Sequence, residues 1–474
     1  MNFARYKVTN LVFTVGLILM LAGCSGSNLK VWHTRSLSAE YNAGKFSEIQ
    51  SIDDYLLLEE ALFEQLDSRI YDSMPTGAEH ALDRYSSGSA ADPRNRNPDW
   101  NRSFETGVGG ERGGILLLHG MSDSPYSLRS LGEALADQGF RVLGLRLPGH
   151  GTIPAGLTSV QWEDMAEITS LGMAHLRAQL GSAPIHILGY STGAALAIDY
   201  ALEADLHELP ESLVLISPAI GVSRAASLAS WKRGMSYLPG LRRLAWTGLA
   251  PEFDPYKYNS FATNAAEQVH LLTRSINGRI EQNQEAARRF PPTLVVVSAV
   301  DATVSLDAVV DRFLVQLAPG THELLVFDVN RLASTTALMR DDPGPIIGRL
   351  LGDDELPFAV TLVANENPES RAVIASHKPA HSSGPVGAKP LGVEWPPGVF
   401  SLSHVALPFP PDDPLYGRYP PEDRNQLFLG LQAMQGERGL LKISPNFLLR
   451  LRHNPFYDYM EGRVVDWLAT AGQQ

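Results

Sequence analysis

From Gly113 onward the chain alternates between short, unbroken apolar runs and longer stretches whose apolar positions recur every three or four residues. The runs fall at 115–118, 141–145, 185–188, 213–216, 293–298 and 323–327, each four to six residues long. Stretches of helical period lie between them at 127–138, 162–180, 194–203 and 306–317, the first ending at Gly139. A strand that is apolar at every position has both faces covered, and helices between such strands carry the chain back for parallel pairing. The pattern therefore predicts an α/β fold: a mostly parallel sheet with helices on both faces.

Two stretches interrupt the alternation. Residues 218–292 carry many aromatics, among them Trp231, Tyr237, Trp246, Phe253, Tyr256, Tyr258 and Phe261. Residues 331–399 predict a hairpin, 358–364 and 371–376 turning through 365–370, followed by a Pro/Gly-rich return. Ahead of the alternating region, 51–71 has helical spacing at Ile52, Tyr55, Leu62, Phe63, Leu66 and Ile70. Residues 86–114 are rich in Ser, Gly, Pro, Asn and Arg and read as a long surface connection.

The first residues are an address. Arg5 and Lys7 precede an apolar run from Leu11 to Ala22, too short for the roughly twenty residues that span a bilayer. The run ends in Leu21-Ala22-Gly23-Cys24, which resembles a bacterial lipobox. That resemblance implies a signal peptide over 1–23 and acylation of Cys24, the one cysteine of the chain. The expected partner is the membrane. Ser25, where an inner-membrane retention signal has aspartate, makes the outer membrane the expected destination. The domain plan is a signal peptide, a tether with helix and linker over 24–112, and a catalytic domain over 113–474.

The formal net charge of the 474 residues is −13, which excludes a broad electrostatic footprint on nucleic acid, since phosphates would be repelled. The sequence has no metal-ligand cluster, dinucleotide loop or phosphate loop, so no cofactor or metal is expected.

Chemistry begins at Gly189-Tyr190-Ser191-Thr192-Gly193, after the run 185–188 and before a small-residue helix. In a strand–turn–helix setting, G-x-S-x-G lifts its serine to the top of the sheet at a helix N-terminus, where developing negative charge is favoured. Glycine is needed at 189 and 193 because larger side chains would meet backbone in so tight a turn.

Leu118-His119-Gly120-Met121 ends the first run, and Arg146-Leu147-Pro148-Gly149-His150-Gly151 follows the second. Together with the serine motif these resemble α/β-hydrolases, in particular the subgroup of monoglyceride lipases and bacterial carboxylesterases. The resemblance covers 113–317 well and 400–468 more loosely. It implies that Met121 and Thr192 supply oxyanion N–H groups, that His119 is structural, and that 218–292 caps the pocket. The strand 294–298 leads to Asp301, which is similar to the acid loop of that family. Asp307 falls at a helix start, where capping explains it.

In the family's order the base follows the strand 323–327, where Asp328-Val329-Asn330 offers no histidine. Beyond the 331–399 insertion, Phe400-Ser401-Leu402-Ser403-His404 rebuilds an apolar approach to one, so His404 is the expected base. His377 and His381 fall in a polar return loop, and His453 precedes a terminal helix over 456–468. The resemblance thus implies a Ser191–His404–Asp301 hydrolase acting on small-molecule or lipid carboxylic esters. A thioesterase, amidase or acyltransferase would use the same residues. A surface lipoprotein that only binds would not need all three.

Overall fold

The protein is described from a computed structural model over residues 29–107, 109–221, 242–336, 338–422, 426–430 and 450–471. Cys24, Trp231 and Tyr237 lie outside those residues. Among the described residues no helix is long and apolar enough to cross a membrane.

In chain order the principal elements are α1 (Ile52–Arg69), β1 (Phe104–Thr106), β2 (Gly114–Leu118), α2 (Arg129–Asp137), β3 (Arg141–Leu145), α3 (Trp162–Leu180), β4 (Ile185–Tyr190), α4 (Thr192–Glu203) and β5 (Ser212–Ile216). There follow β6 (Trp246–Gly248), β7 (Phe261–Ala262), α5 (Thr263–Gln282), β8 (Thr293–Ser298), α6 (Leu306–Arg312) and β9 (His322–Phe327). The last are α7 (Gly344–Gly352), β10 (Ala359–Asn365), β11 (Ala372–Lys378), β12 (Gly387–Glu394) and α8 (Tyr457–Ala471). Ten strands form one sheet in the order β1-β3-β2-β4-β5-β8-β9-β10-β11-β12, and β6 and β7 form a separate ribbon. The pairings from β3 through β10 are parallel, and both edges are antiparallel.

Alternate residues of each central strand enter two different cores, as a pleated strand buried on both faces requires. Leu116 and Leu118, Leu213 and Leu215, Val295 and Val297 meet α3, α4 and α5 on one face. Ile115 and Leu117, Val214 and Ile216, Leu294 and Val296 meet α2 and α8 on the other. Each such side chain contributes about 1.5–3 kcal/mol by leaving water. A polar replacement at Leu116 or Leu213 would forfeit that and leave an unpaired group between layers.

The structure differs from the sequence reading in four places. Residues 86–114 are not a surface connection throughout. Phe104–Thr106 pairs with β3 as an edge strand, and Ala91, Asp92 and Asn101 are buried. Composition misleads there because the polar side chains are buried with partners: Asn101 alone bonds Asp99 and Pro255. Second, not all of 218–292 stands apart from the sheet's alternating layers. Ala265, Val269, Leu272, Ile276 and Ile280 of α5 join the core beside α4, so that helix belongs to the sheet's covering layer. Third, the Pro/Gly-rich return after the hairpin contains an additional strand, β12, on the sheet's outer edge. Its mostly exposed side chains leave no hydrophobic alternation to read. Fourth, His377 lies on β11, bonded to Thr361 across to β10, and not in a loop; His381 is in the turn beyond it.

α1 forms where predicted. Ser51 accepts the Asp54 N–H as N-cap, and Ile52, Tyr55, Leu62, Phe63 and Leu66 are buried. Its Tyr55 hydroxyl donates to the Arg146 carbonyl at 2.7 Å, and Glu59 holds the Arg146 guanidinium at 3.0 Å. The N-terminal segment is therefore bonded into the sheet's second loop, beyond merely preceding it.

Candidate active site

The sharp turn between β4 and α4 carries Ser191 at φ +55°, a conformation that costs a non-glycine residue of order 1–3 kcal/mol and persists only when its surroundings impose it. Those surroundings are explicit. The Ser191 N–H donates to Ile216 O at 2.9 Å, and its carbonyl accepts from Ala219 N–H at 3.1 Å and Ala195 N–H at 3.1 Å. The flanking glycines are obligatory by close approach: a Cβ at 189 would lie 2.5 Å from Ala194 N, and one at 193 would lie 2.0 Å from Leu118 O. The chain is thus pressed flat against β2, and the serine points out of the turn with 7% of its surface exposed.

His404 opens a one-turn 3-10 helix over His404–Ala406, anchored by buried Leu402, Ala406 and Leu407. Its Nε2 is 3.1 Å from Ser191 Oγ and its Nδ1 is 2.7 Å from Asp301 Oδ2. Neutral His404 donates its Nδ1–H to the carboxylate and accepts the serine hydroxyl proton at Nε2. The other Asp301 oxygen accepts the N–H groups of Thr303 at 2.7 Å and Val304 at 3.0 Å. Burial pushes the Asp301 carboxyl up, but the charge and hydrogen bond of His404 and the two backbone N–H groups outweigh it, and the carboxyl is held below its ordinary value.

The insertion's return explains how His404 arrives. The Asn330 N–H donates to Phe400 O at 2.8 Å and its side-chain amide donates to Val399 O at 2.9 Å. The chain leaves the sheet after β9 and comes back to the same point, with β10–β12 added outside it.

Thr192 follows the serine, and Gly120, next to Met121, packs against it, since a Cβ at 120 would lie 3.2 Å from Ser191 Cβ. Among the described residues neither the Met121 nor the Thr192 N–H meets an acceptor, and Thr192 is the first residue of α4, where the helix leaves N–H groups unpaired and partial positive charge gathers. His119 is not available as a base. Its Nδ1–H faces Gly120 O at 2.9 Å and its Nε2 accepts the Leu147 N–H at 3.1 Å. Burial, then the neighbouring His150, lowers its pKa well below the usual value, so it stays neutral. Asp307 sits in the first turn of α6, whose cap is Ser305. His453 is buried, and the adjacent Asn454 side chain accepts the Phe456 N–H before α8.

Two features have no local signal in the sequence. Tyr190, the variable residue before the serine, is buried and donates its hydroxyl to the His404 carbonyl at 3.2 Å, its ring 5.2 Å from the imidazole. Ser122, after Met121, holds φ +63°. The Asp123 N–H to Gly120 O bond closes a turn at 3.2 Å that puts Ser122 where a type II turn calls for glycine or asparagine.

Comparison with known proteins gives the fold its family. Residues 115–333 match the alpha/beta hydrolase family. A thermostable monoacylglycerol lipase of Bacillus sp. (strain H-257) is 33% identical over 192 residues, covering 40% of this chain and 71% of the relative. Among solved structures, one from work on two metagenome-derived lipolytic enzymes is 22% identical, covering 48% of this chain and 87% of that one, with a TM-score of 0.39. A Paleococcus ferrophilus monoacylglycerol lipase is 20% identical, over 48% and 88%, with a TM-score of 0.37. The family match stops at 333, before the added strands and His404. With its sheet, its glycine-bounded serine turn and a relative of 33% identity, the chain belongs to the alpha/beta hydrolase family.

Proposed function

We propose that this protein is a serine hydrolase of carboxylic esters, with lipid monoesters as its substrate class and an acyl-enzyme as its intermediate. The observation that carries the reading is the unbroken hydrogen-bond chain Ser191–His404–Asp301 at the N-terminus of α4. The named activity of the Bacillus relative supports the choice of ester. His404 Nε2 takes the Ser191 proton as Oγ attacks the carbonyl carbon, and the carbonyl oxygen becomes an anion held by the Met121 and Thr192 N–H groups. Collapse expels the alcohol, which leaves with that proton. Water then gives a proton to His404, attacks the acyl carbon, and releases the acid as Ser191 regains its hydroxyl hydrogen. Asp301 keeps the imidazole in the tautomer that both steps need.

A fluorophosphonate probe should label Ser191, and Ser191→Ala should lose the label. A panel of chromogenic esters, thioesters and anilides of graded acyl length then sets the leaving-group class. Preference for anilides would overturn the ester assignment while keeping the mechanism. We propose also that Cys24 is acylated and anchors the protein to the cell envelope, most simply the outer membrane, since acyl chains supply about 0.8 kcal/mol per buried methylene. Cys24→Ala should leave a species that a high-salt wash removes from membranes. Retention after the wash would count against the anchor.

A further inference from the structure

The turn that carries Met121 is strained at Ser122, and its own Gly120–Asp123 bond is a single long one. Further restraint comes from outside the turn. The Tyr258 N–H donates to Ser122 O at 2.8 Å, and the Lys257 ammonium is 3.6 Å from Asp123 Oδ2. Both belong to the loop 252–258, at the base of the cap. Asp123 in turn accepts the Ser124 N–H at 3.0 Å, so the ammonium acts on a carboxylate built into the turn. The Tyr258 hydroxyl accepts the Thr152 N–H at 2.8 Å and donates to Gly149 O at 3.2 Å, which ties the same loop to the turn after β3.

That loop is itself locked by a residue of the N-terminal segment, outside the family match. Arg84 is 1% exposed, and its guanidinium donates to Asp254 O at 3.3 Å, Asn101 Oδ1 at 3.1 Å and Gly151 O at 3.2 Å. Its backbone N–H donates to Glu252 O at 2.8 Å, and its guanidinium carbon lies 5.3 Å from the Tyr258 ring centre. From the far side Tyr416 and Arg452 hold the Asp254 carboxylate at 2.6 and 3.0 Å. A buried arginine joined to three separate segments fixes their spacing, because its planar fork cannot serve all three if they shift. The path runs from Arg84 to the 252–258 loop, from there to Ser122 and Asp123, and so to the Met121 N–H.

We infer that Lys257 and Arg84 are positioning residues for the oxyanion pocket, Lys257 by gripping the Met121–Asp123 turn and Arg84 by locking the loop that grips it. The inference rests on the serine-hydrolase reading above. It makes the N-terminal segment part of what sets the rate, where the sequence reading had a tether.

The test uses the full chain and begins by establishing acetyl-ester hydrolysis and probe labelling in the unaltered protein. Failure there overturns the hydrolase reading itself, and the clamp is judged only against an active parent. Lys257→Met and Arg84→Gln are then compared with that parent by kcat, KM and the affinity of an alkylboronic acid, whose tetrahedral adduct places an oxygen in the oxyanion pocket. Removing one oxyanion donor costs about 10²–10³-fold in kcat. A loosened donor should cost less: roughly tenfold for Lys257→Met and up to about a hundredfold for Arg84→Gln. KM should stay within about threefold, and boronate affinity should fall by the same factor as kcat. Arg84→Lys, keeping charge but not the fork, should recover part of the loss. A folded Arg84→Gln with parental kcat, a rise in KM alone, or a kcat loss without weaker boronate binding would each overturn the clamp. If Arg84→Gln does not fold, the same criteria apply to Arg84→Lys. If neither folds, Arg84 serves folding and the assignment fails.

Discussion

The two ends of the Ser191–His404 hydrogen bond are held in different ways. Ser191 sits between a strand and a helix that are adjacent in the chain, and the contacts forcing its φ come from the neighbouring strands β2 and β5 and from Ala195 and Ala219. His404 stands on a single 3-10 turn, with a long excursion before it, and is held by tertiary contacts alone: Asp301, the Tyr190 hydroxyl, the Asn330 closure and three buried neighbours. The Ser191 turn is therefore fixed by the strands on either side of it, which the insertion leaves alone, whereas the position of His404 depends on where an insertion re-enters. Long insertions at such a place cost little in closure entropy, which grows only as the logarithm of loop length. What they need is a fixed point of return, and Asn330 supplies it.

The strongest attempt to break this comparison is to remove each partner in turn. Ser191→Ala should abolish turnover, and His404→Ala should lose on the order of a thousandfold or more, the two acting as one unit. His377→Ala, His381→Ala and His453→Ala should retain the parental kcat when folded. An active His404→Ala beside an inactive variant of another histidine would place the base elsewhere.

Asn330→Ala sharpens the claim about return. It removes the amide bond to Val399 and the side-chain bonds with Asn365 and Leu332. Because a misplacement of about 1 Å can cost around a hundredfold, kcat should fall roughly 10- to 100-fold while circular dichroism stays native. A destabilised variant with unchanged kcat below its melting range would show that the closure matters only for stability.

The Ser191 side carries its own liability in Asp199, two turns along α4. Burial pushes its carboxyl up to about 7, with Arg279 at 3.2 Å opposing the shift. The folded value lies above the ordinary carboxylate value, so the native state binds the proton more tightly. Stability from this group is full below about pH 4 and is lost as pH rises toward 7. Asp199→Asn is neutral throughout. In urea titrations it should exceed the parent by about 2 kcal/mol at pH 8, with the gap closing toward pH 5. An equal difference at both pH values would contradict the shift.

The smallest effect probes the one direct link between the two sides. Tyr190→Phe removes the hydroxyl bond to the His404 carbonyl and keeps the ring, so a loss of about 0.5–1.5 kcal/mol is expected, read as a two- to tenfold fall in kcat. No change in kcat, with an equal loss of stability, would limit Tyr190 to folding.

What the sequence determined by itself was whatever short-range physics controls. Alternating runs placed the central strands and their helices to within one to a few residues, because full burial on both faces leaves every strand position apolar. The glycines around Ser191 were legible because the motif is contiguous in the chain, although the backbone that crowds position 193 is that of Leu118 on β2. The hairpin before β12 was legible for the same reason, and β12 was not, since an exposed edge strand bears no periodic mark. Composition took residues 86–114 for a surface connection, although Arg84 just before them and Asn101 within them are buried: a polar side chain is cheap to bury only when distant partners meet it, and those partners are far away in the chain. The same limit hid Tyr190's hold on His404 and the strain at Ser122. The family's order pointed to His404. Its 3.1 Å approach to Ser191 depends on two chain ends meeting at Asn330, a coincidence in space that only the tertiary structure decides.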